Sequence, residues 1–314
     1  MPDDCGIFDR IYINSTLPVG QNISWKMAKN FQGVFPLHFY VDVAPIGSED
    51  WTTLNKVPVI DDCSYFDPNK YNYSVSVDQT YRIRVVDGDD NVFYSNPQHP
   101  LGNWSKRDYL LAKEMMRKEY LELTKFTGVK GTLLKRRQWG PRCPRCLDPD
   151  TDAVTDNKCF ICYGTAFIGG YFMGIEYWVK LSNLKRNKDV TDVAITDPFN
   201  RLGRSVAYPY LDTKDVWVSE DTNERWFISN IANEAEIRSI PIVYSSEYKK
   251  APTSSVIYDV PLDSTADLTI YLDDTAMNSP VKLDNNDPVN PSNAPVAPPD
   301  EQWDAGVTAD PFSW

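Results

Sequence analysis

The sequence predicts a mainly β protein in which two antiparallel β-domains are joined through one helix and a four-cysteine segment. Apolar residues alternate with a period of two in short runs before residue 100 and again after Gly169, and turn residues separate these runs. One stretch, opened by Ser105, has helical periodicity instead. Two Cys-x-x-Cys pairs lie between that stretch and the second group of runs. With 314 residues, the chain is long enough for two or three domains, each with its own core.

Residues 1–100 are predicted to form an antiparallel sandwich, because their apolar residues alternate along short segments. The segment Asp87-Gly-Asp-Asp has the composition of a hairpin turn. The alternating positions are Ile23 and Trp25; Leu37, Phe39, Val41 and Val43; Tyr71, Tyr73, Val75 and Val77; and Tyr81, Ile83 and Val85.

The aromatic residues of this region resemble those of a fibronectin type III domain. Trp25 lies on an early run, Trp51 follows the next one, and Tyr81-Arg-Ile-Arg-Val85 precedes Tyr94-Ser-Asn-Pro97. The resemblance implies a two-sheet sandwich over residues 1–100 in which Tyr81 occupies the tyrosine-corner position.

Residues 101–135 are predicted to form a connector helix followed by a basic linker. Ser105 and Asp108 have the spacing of a capping box, and Gly128 suits the end of the helix. Apolar residues three or four positions apart give this helix one apolar face. They are Tyr109, Ala112, Met116, Tyr120 and Leu123.

Residues 136–168 carry the strongest chemical signal, the pairs Cys143-Pro-Arg-Cys146 and Cys159-Phe-Ile-Cys162. Twelve residues separate the pairs, and a loop of that length can bring both pairs around one tetrahedral ion. Four thiolates favour Zn²⁺ and leave no open position for a substrate water, so we predict a structural zinc ribbon. The alternatives are a redox dithiol pair, which lacks a βαβ context, and a catalytic zinc, which lacks a His-x-Glu partner.

A basic band covers residues 123–147, where the chain has seven Lys or Arg residues and no acid although its net charge is −12. Such a band could contact a DNA backbone or an acidic partner. The alternative is a solvated face, or salt bridges to acidic surface elsewhere. The candidate contact residues are Lys130, Lys135, Arg136, Arg137, Arg142 and Arg145.

Residues 169–275 are predicted to form a small antiparallel β-barrel or sandwich. Alternation from Tyr171 to Leu181 predicts one long, half-buried strand. Val216-Trp-Val218 and Trp226-Phe-Ile228 flank polar residues and are typical of a hairpin. Two further strands are predicted at Ile240, Ile242 and Tyr244, and at Val256, Tyr258 and Val260.

Residues 276–314 form a Pro-rich acidic tail that lacks the apolar content to fold alone. Three aromatic residues nevertheless lie on this tail and are candidates to anchor it in a groove of a neighbouring subunit. They are Trp303, Phe312 and Trp314. The alternative is a loose, solvated tail.

Several function classes receive no support from the sequence. His38 and His99 are the only histidines, and no HExxH, GxSxG or P-loop pattern occurs, so we predict that the chain is not an enzyme. The net charge of −12 argues against a general nucleic-acid binder. Neither a transmembrane stretch nor the apolar region of a signal peptide is visible, so no membrane partner is expected.

The run from Arg136 to Tyr171 resembles segments of virion structural proteins of tailed bacteriophages. The stretches Asp215-Val-Trp-Val218 and Arg225-Trp-Phe-Ile228 are similar to the barrel of head-closure and head-to-tail joining proteins. The resemblance covers about residues 136–262. It implies a neck component without enzymatic activity, assembled in the host cytoplasm into the virion as a homo-oligomeric ring around the DNA channel. Its partners would be neighbouring copies, portal or adaptor, tail and capsid proteins, and packaged DNA.

Two other functions remain open from the sequence. A baseplate or tail adhesion module would use the sandwich to bind host glycan, and Trp51 or Trp104 exposed at a cleft would favour it. A zinc-dependent enzyme would need an open position on the metal and a glutamate beside it.

Overall fold

The computed structural model describes residues 7–17, 20–28, 31, 33–68, 73–101, 104–146, 148, 154–183, 200–238 and 240–262. The described chain is mainly β, as the sequence predicts, with two β-domains and one long helix. The predicted tail over residues 276–314, with Trp303, Phe312 and Trp314, lies outside the described residues. Within the described part, no helix is both long and apolar enough to cross a membrane.

The first domain is a sandwich of two antiparallel sheets. One sheet has the order β1-β2-β6 and the other has the order β4-β3-β7-β8, with β5 also paired to β3. The strands are β1 (Phe8–Asn14), β2 (Gln21–Met27), β3 (His38–Pro45), β4 (Thr52–Thr53), β5 (Val59–Ile60), β6 (Ser64–Asp67), β7 (Gln79–Val86) and β8 (Val92–Tyr94).

Alternating residues of β2, β3 and β7 form the core between the two sheets, which confirms the period-two pattern of these segments. Asp87 lies in the turn between β7 and β8, so the predicted hairpin is also present. The fully buried core residues include Ile23, Trp25, Leu37, Phe39, Val41, Tyr81, Ile83 and Val85.

One predicted strand of this region is wrong. Residues Tyr73–Val77 form a short helix, α1, instead of continuing the alternation of Tyr73, Val75 and Val77. Tyr71, the first residue of the predicted run, lies outside the described residues. The rings of Tyr73 and Tyr109 lie 5.7 Å apart, so this turn packs against the long helix and has no sheet partner. Tertiary packing therefore overrides the strand propensity of the segment.

The long helix α2 (Lys106–Glu122) begins as predicted. The Ser105 side chain accepts a hydrogen bond from the Asp108 N–H, and the Asp108 carboxylate accepts one from the Ser105 N–H, which completes the capping box. The helix continues into a π-helical turn, Leu123–Thr127, and ends at Gly128. Its apolar face packs on the outside of the second domain; the buried residues of this face are Tyr109, Ala112, Met116 and Leu123, with Val206, Ile242 and Val243 opposite.

The second domain is a closed antiparallel barrel, which decides between the two predicted alternatives. Its strand order is β10-β11-β14-β13-β12-β9. The strands are β9 (Val129–Leu134), β10 (Ile175–Asn183), β11 (Asn200–Val206), β12 (Val216–Ser219), β13 (Arg225–Ile237) and β14 (Ile240–Lys250). Closure leaves the barrel without a free sheet edge.

Three features of the barrel differ from the sequence prediction. The segment predicted as a basic linker contains β9, which pairs with both β10 and β12 and closes the barrel. The strand predicted from Tyr171 begins only at Ile175. The strand predicted around Tyr258 is a 3₁₀ turn, Val256–Asp259, whose Ser255 side chain accepts a hydrogen bond from the Ile257 N–H.

Candidate metal centre

The two cysteine pairs come together in the structure. The four sulfurs of Cys143, Cys146, Cys159 and Cys162 all lie within 4.8 Å of one another, and all four residues are buried. The Cys143 and Cys159 sulfurs are 3.8 Å apart, and the Cys146 and Cys162 sulfurs are 3.0 Å apart. Metal–sulfur bonds of about 2.3 Å in a tetrahedron place sulfurs about 3.8 Å apart. A small increase in the distance between the Cys146 and Cys162 sulfurs therefore completes the site. The four cysteines can therefore hold a metal ion.

The other cysteines and the turn after Cys162 together favour the thiolate form of Cys162. Gly164 adopts a φ of +76°, and the N–H groups of Gly164 and Ala166 hydrogen-bond the Cys162 sulfur. A hydrogen bond from the Cys143 thiol, opposed by burial and supported by Cys146 and these N–H groups, lowers the pKa of Cys162 to about 5.

A short antiparallel ladder extends from the cysteine cluster. The chain before the first cysteine pair runs alongside the chain after the second pair, so both pairs are held by backbone hydrogen bonds as well as by their sulfurs. The N–H···O=C bonds are Cys143 to Ala166 (2.9 Å), Ile168 to Pro141 (2.9 Å), Arg137 to Gly170 (3.0 Å) and Phe172 to Lys135 (2.9 Å). We call the segment 135–172, as far as it is described, the cysteine module.

The cysteine module inserts a tryptophan into the sandwich. Trp139 is 6% exposed and belongs to the same buried cluster as the sandwich core. Its ring centroid lies 6.2 Å from that of Phe35, 5.6 Å from that of Phe39 and 5.3 Å from that of Phe172. These offset and edge-on contacts are the arrangements that aromatic pairs prefer. The cysteine module therefore contributes Trp139 and Phe172 to the sandwich core.

The same module is continuous with the barrel. Tyr171 packs with Leu134, Val216 and Val218, whereas the next residue, Phe172, packs in the sandwich core. Leu134 and Val216 lie on adjacent barrel strands. The ladder behind the cysteines therefore contributes Phe172 to the sandwich core and Tyr171 to an apolar cluster on the outside of the barrel.

Lys135, from the basic band, is turned inward. Its ammonium lies 2.5 Å from Asp215 Oδ2 and donates to the Tyr210 carbonyl oxygen at 2.7 Å. Asp215 also accepts hydrogen bonds from the backbone N–H groups of Arg136 and Asp212. Burial alone would lower the pKa of Lys135, but the charges of Asp215 and Asp212 together outweigh that effect and raise the pKa. Burial in turn raises the pKa of Asp215, and the Lys135 charge opposes that effect. The 2.5 Å contact joins the two groups as a buried ion pair. Lys135 does not present its charge to a partner.

Arg137 is also buried, with 2% of its surface exposed. Its Nε donates to the Tyr171 carbonyl oxygen at 3.2 Å, and its guanidinium lies 4.6 Å from the centre of the Phe172 ring. Burial lowers the pKa of Arg137, and the nearby charges of Asp61 and Asp62 oppose this effect. The Arg137 guanidinium is therefore buried where the cysteine module packs against the sandwich.

The remaining basic residues are nearer to solvent. Lys130 pairs with Glu220 at 3.3 Å and with Glu176 at 3.8 Å, so its charge is balanced within the chain. Arg142 and Arg145 are exposed, and Arg136 is half-buried. The guanidinium of Arg142 lies 4.6 Å from the Phe167 ring centre, and that of Arg145 lies 5.1 Å from the Phe160 ring centre. The band is thus divided, with Arg136, Arg142 and Arg145 left facing outward.

Sequence reasoning missed three residues that build this centre: Trp139, Phe172 and Asp215. Trp139 lies in the same run as the first cysteine pair, and an aromatic residue beside a metal-binding loop is a signal that could have been used. Asp215 directly precedes the buried segment Val216-Trp-Val218, so a charge at the edge of a strand was visible. Its partner, 80 positions away, was not.

Comparison with known proteins adds little. No family model and no curated protein matches the chain. One similar solved structure is described as "Titin kinase and its flanking domains"; the identity is 9%, and the alignment covers 77% of this chain and 37% of that chain, with a TM-score of 0.25. A TM-score this low supports no conclusion about fold or activity, so function has to be argued from the geometry described above.

Proposed function

We propose that this chain is a structural, non-enzymatic protein of a tailed-bacteriophage virion, a neck component of the head-to-tail connector type that forms a homo-oligomeric ring. The observation that carries the proposal is the joint at Tyr171 and Phe172, where one metal-binding module packs into the sandwich core and against the outside of the barrel. A ring subunit must keep a fixed shape when its neighbours exert force on it. A joint that packs against both β-domains provides that rigidity.

The ion that completes the joint is Zn²⁺ in this proposal. Four thiol ligands select a soft metal, and a closed tetrahedral set of sulfurs is typical of structural zinc. Zinc bound by all four cysteines has no position for a substrate water, so the metal supplies folding free energy and not catalysis. This arrangement of ligands therefore does not support the hypothesis of a zinc-dependent enzyme.

The partners in this proposal are neighbouring copies of the chain and the portal or adaptor, tail and capsid proteins of the virion. Arg142 and Arg145 are exposed, and in this proposal they lie near an acidic neighbour or packaged DNA. The tail aromatics Trp303, Phe312 and Trp314 would anchor one subunit to the next. The site of action is the virion, after assembly in the host cytoplasm.

The glycan-binding alternative finds less support at the two tryptophans on which it depended. Trp104 is 7% exposed, and its ring is buried beside the long helix. The Arg82 guanidinium lies 4.1 Å from the centre of the Trp51 ring and covers one of its faces. Glycan sites stack sugars on open aromatic faces, so we keep the structural role as the proposal.

Mass measurement and localisation test the proposal together. Native mass spectrometry of the full-length protein should give a closed oligomer with one zinc per chain. Mass spectrometry of purified virions should detect the chain in particles at a ring-like copy number. Finding it in infected cells but not in particles would show that the proposed role is wrong.

A further inference from the structure

Strand β1 is a free edge of the sandwich. It pairs with β2 on one side, and no strand of the described chain pairs with its other side. The other edge strands, β4, β6 and β8, have two, four and three residues, whereas β1 has seven. Very short edge strands resist pairing with another segment, and a longer one is open to it. β1 is therefore the edge best suited to accept an added strand.

The pairing of β2 shows which backbone groups of β1 face the open side. The Trp25 N–H donates to the Cys63 carbonyl oxygen at 2.9 Å, so the backbone groups of Trp25 point away from β1. Ile11 lies opposite Trp25, and Ile13 lies opposite Ile23. Hydrogen-bonded and non-hydrogen-bonded pairs alternate in an antiparallel ladder, so the N–H and C=O groups of Ile11 and Ile13 point away from β2. Both residues therefore offer ladder groups to a further strand.

A groove of about 670 Å³ runs along β1 and is lined by every residue from Arg10 to Thr16, with barrel residues opposite. Trp104 also lines this groove, and its buried indole N–H has no hydrogen-bond partner among the described residues. The side chains of Ile11 and Ile13 are only partly buried at the margin of the sandwich core. The groove therefore offers a ligand apolar surface and one buried donor, besides the open ladder groups.

The clearest strand pattern beyond the described residues lies just after their end. The described chain ends at Leu262, and residues 263–314 follow. In the segment 267–272, Asp-Leu-Thr-Ile-Tyr-Leu, large apolar residues alternate with Thr and Tyr, and such a pattern favours a strand. Seven prolines interrupt the chain after residue 279, and proline lacks the N–H that a ladder needs. The segment 267–272 is therefore the part of this region suited to pair with an edge.

We propose that the segment 267–272 adds to β1 as a further strand of the sandwich sheet. The three apolar residues of the segment share one face of an extended chain, as Ile11 and Ile13 do, so the added strand places its apolar face beside theirs. In this mode of recognition, backbone hydrogen bonds supply the affinity, and alternate side chains decide which segment fits.

This inference does not rest on the proposed neck role, because pairing at β1 can be measured in the purified protein whether or not a ring forms. The first test is hydrogen exchange, resolved by residue, in the full-length, zinc-loaded protein. The amides of Ile11 and Ile13 should be protected, whereas a free edge leaves them unprotected. Tyr12 is the internal reference, because its N–H points toward β2.

The test variant is Ile270→Pro, which removes a backbone donor from the middle of the segment. Exchange at Ile11 and Ile13 should become faster by about tenfold or more, while Tyr12 stays slow. The matched control is Val296→Pro, which places the same residue in a stretch already rich in proline and should leave the exchange unchanged. Metal content and thermal unfolding confirm that both variants are folded.

The second test identifies the occupant of the edge directly. Photoreactive benzoylphenylalanine replaces Arg10, which is exposed on β1, and in a control protein it replaces Val92, which is exposed on the edge strand β8. Mass spectrometry should map the crosslink from position 10 to residues 263–273, and none from position 92 to that segment. Crosslinks within one chain and between two copies both place the segment at β1.

Three results would each overturn the proposal. The first is unprotected exchange at Ile11 and Ile13 in the wild-type protein. The second is equal exchange at these amides in Ile270→Pro and Val296→Pro, which would mean that another partner protects them. The third is a crosslink from position 10 that maps only outside residues 263–273, or no crosslink at all.

Discussion

Tyr171 and Phe172 are consecutive in the chain, yet their side chains pack in two different apolar clusters, one on the barrel and one in the sandwich core. Tyr171 packs against the outside of the barrel with Leu134 and Val216, and Phe172 packs against Trp139 inside the sandwich cluster. The four cysteines lie at the far end of the ladder that carries both residues. A metal at the cysteines therefore acts on the relative position of the two domains, and the following predictions depend on that relationship.

Replacing one ligand should release the metal and loosen the cysteine module. We expect Cys159→Ser to lose its zinc, measured by elemental analysis, because three thiolates and a weak hydroxyl cannot complete the closed site. Hydrogen exchange should then become fast at the ladder amides of Arg137, Ile168 and Phe172 and stay slow in the core strand β3, since the sandwich has its own core. Oligomer formation should be lost.

Cys63 provides the matched control for this variant. It is a buried cysteine of the sandwich that lies outside the four-cysteine group. Cys63→Ala should keep its zinc, its ladder protection and its oligomeric state. Equal metal content in Cys159→Ser and Cys63→Ala would rule out the four-cysteine site.

Removing the aromatic ring of the joint should destabilise the protein strongly. We expect Trp139→Ala to lower the free energy of unfolding by about 3–5 kcal/mol, because the change leaves a cavity among Phe35, Phe39 and Phe172. Calorimetry should show the sandwich and the barrel unfolding in separate transitions. Trp51→Ala, which removes a ring from the outer face of the sandwich, should cost about 1 kcal/mol; a comparable loss in both variants would argue against the joint.

Neutralising the acid of the buried Lys135–Asp215 ion pair should destabilise the protein. Asp215→Asn removes the carboxylate 2.5 Å from the buried Lys135 ammonium and leaves only that of Asp212, 3.7 Å away, so we expect a loss of about 3–5 kcal/mol in urea unfolding. The control is Glu220→Gln, which removes an exposed partner of Lys130 and should leave the unfolding midpoint unchanged. If Asp215→Asn also unfolds at the wild-type midpoint, Lys135 has another way to satisfy its charge.

The barrel should unfold in alkali because of its buried tyrosines. Burial raises the pKa of both Tyr177 and Tyr248, so the folded protein holds these protons while the unfolded chain releases them above about pH 10. The stability from each tyrosine is complete below that pH and declines above it by about 1.4 kcal/mol per pH unit. Tyr177→Phe should reduce this slope in chemical denaturation, whereas Tyr94→Phe, an exposed tyrosine of the sandwich, should not. A wild-type slope of zero would contradict this account.

Local signals in the sequence predicted local structure well. The capping box of Ser105 and Asp108 fixed the start of α2, because both partners lie within one helical turn. The cysteine spacing predicted the four-sulfur cluster for the same reason, since each pair is a short turn. Alternation also predicted the inward faces of β2, β3 and β7, where one side of each strand is buried.

Features that depend on distant partners could not be predicted. Strand β9 contains Gly131, which lowers strand propensity, but a Cβ there would lie 2.5 Å from the Trp217 indole nitrogen. Strand β11 contains Gly203 for a similar reason, because a Cβ would lie 2.1 Å from the Tyr248 ring. These glycines allow the barrel to close around large side chains, and only the packed structure shows that need. The inward turn of Lys135 likewise depends on Asp215, far along the chain.

The measurement that tests the central claim most directly is the distance between the two β-domains with and without metal. Spectroscopic labels carried by unnatural amino acids at Val57 of the sandwich and Asp221 of the barrel avoid the native cysteines, and both positions are exposed. Pulsed electron spin resonance should give one narrow distance distribution for the zinc-loaded protein and a broad one after chelation. A broad distribution in the zinc-loaded protein, or one that chelation does not change, would contradict the account of the cysteine module as a metal-fixed joint.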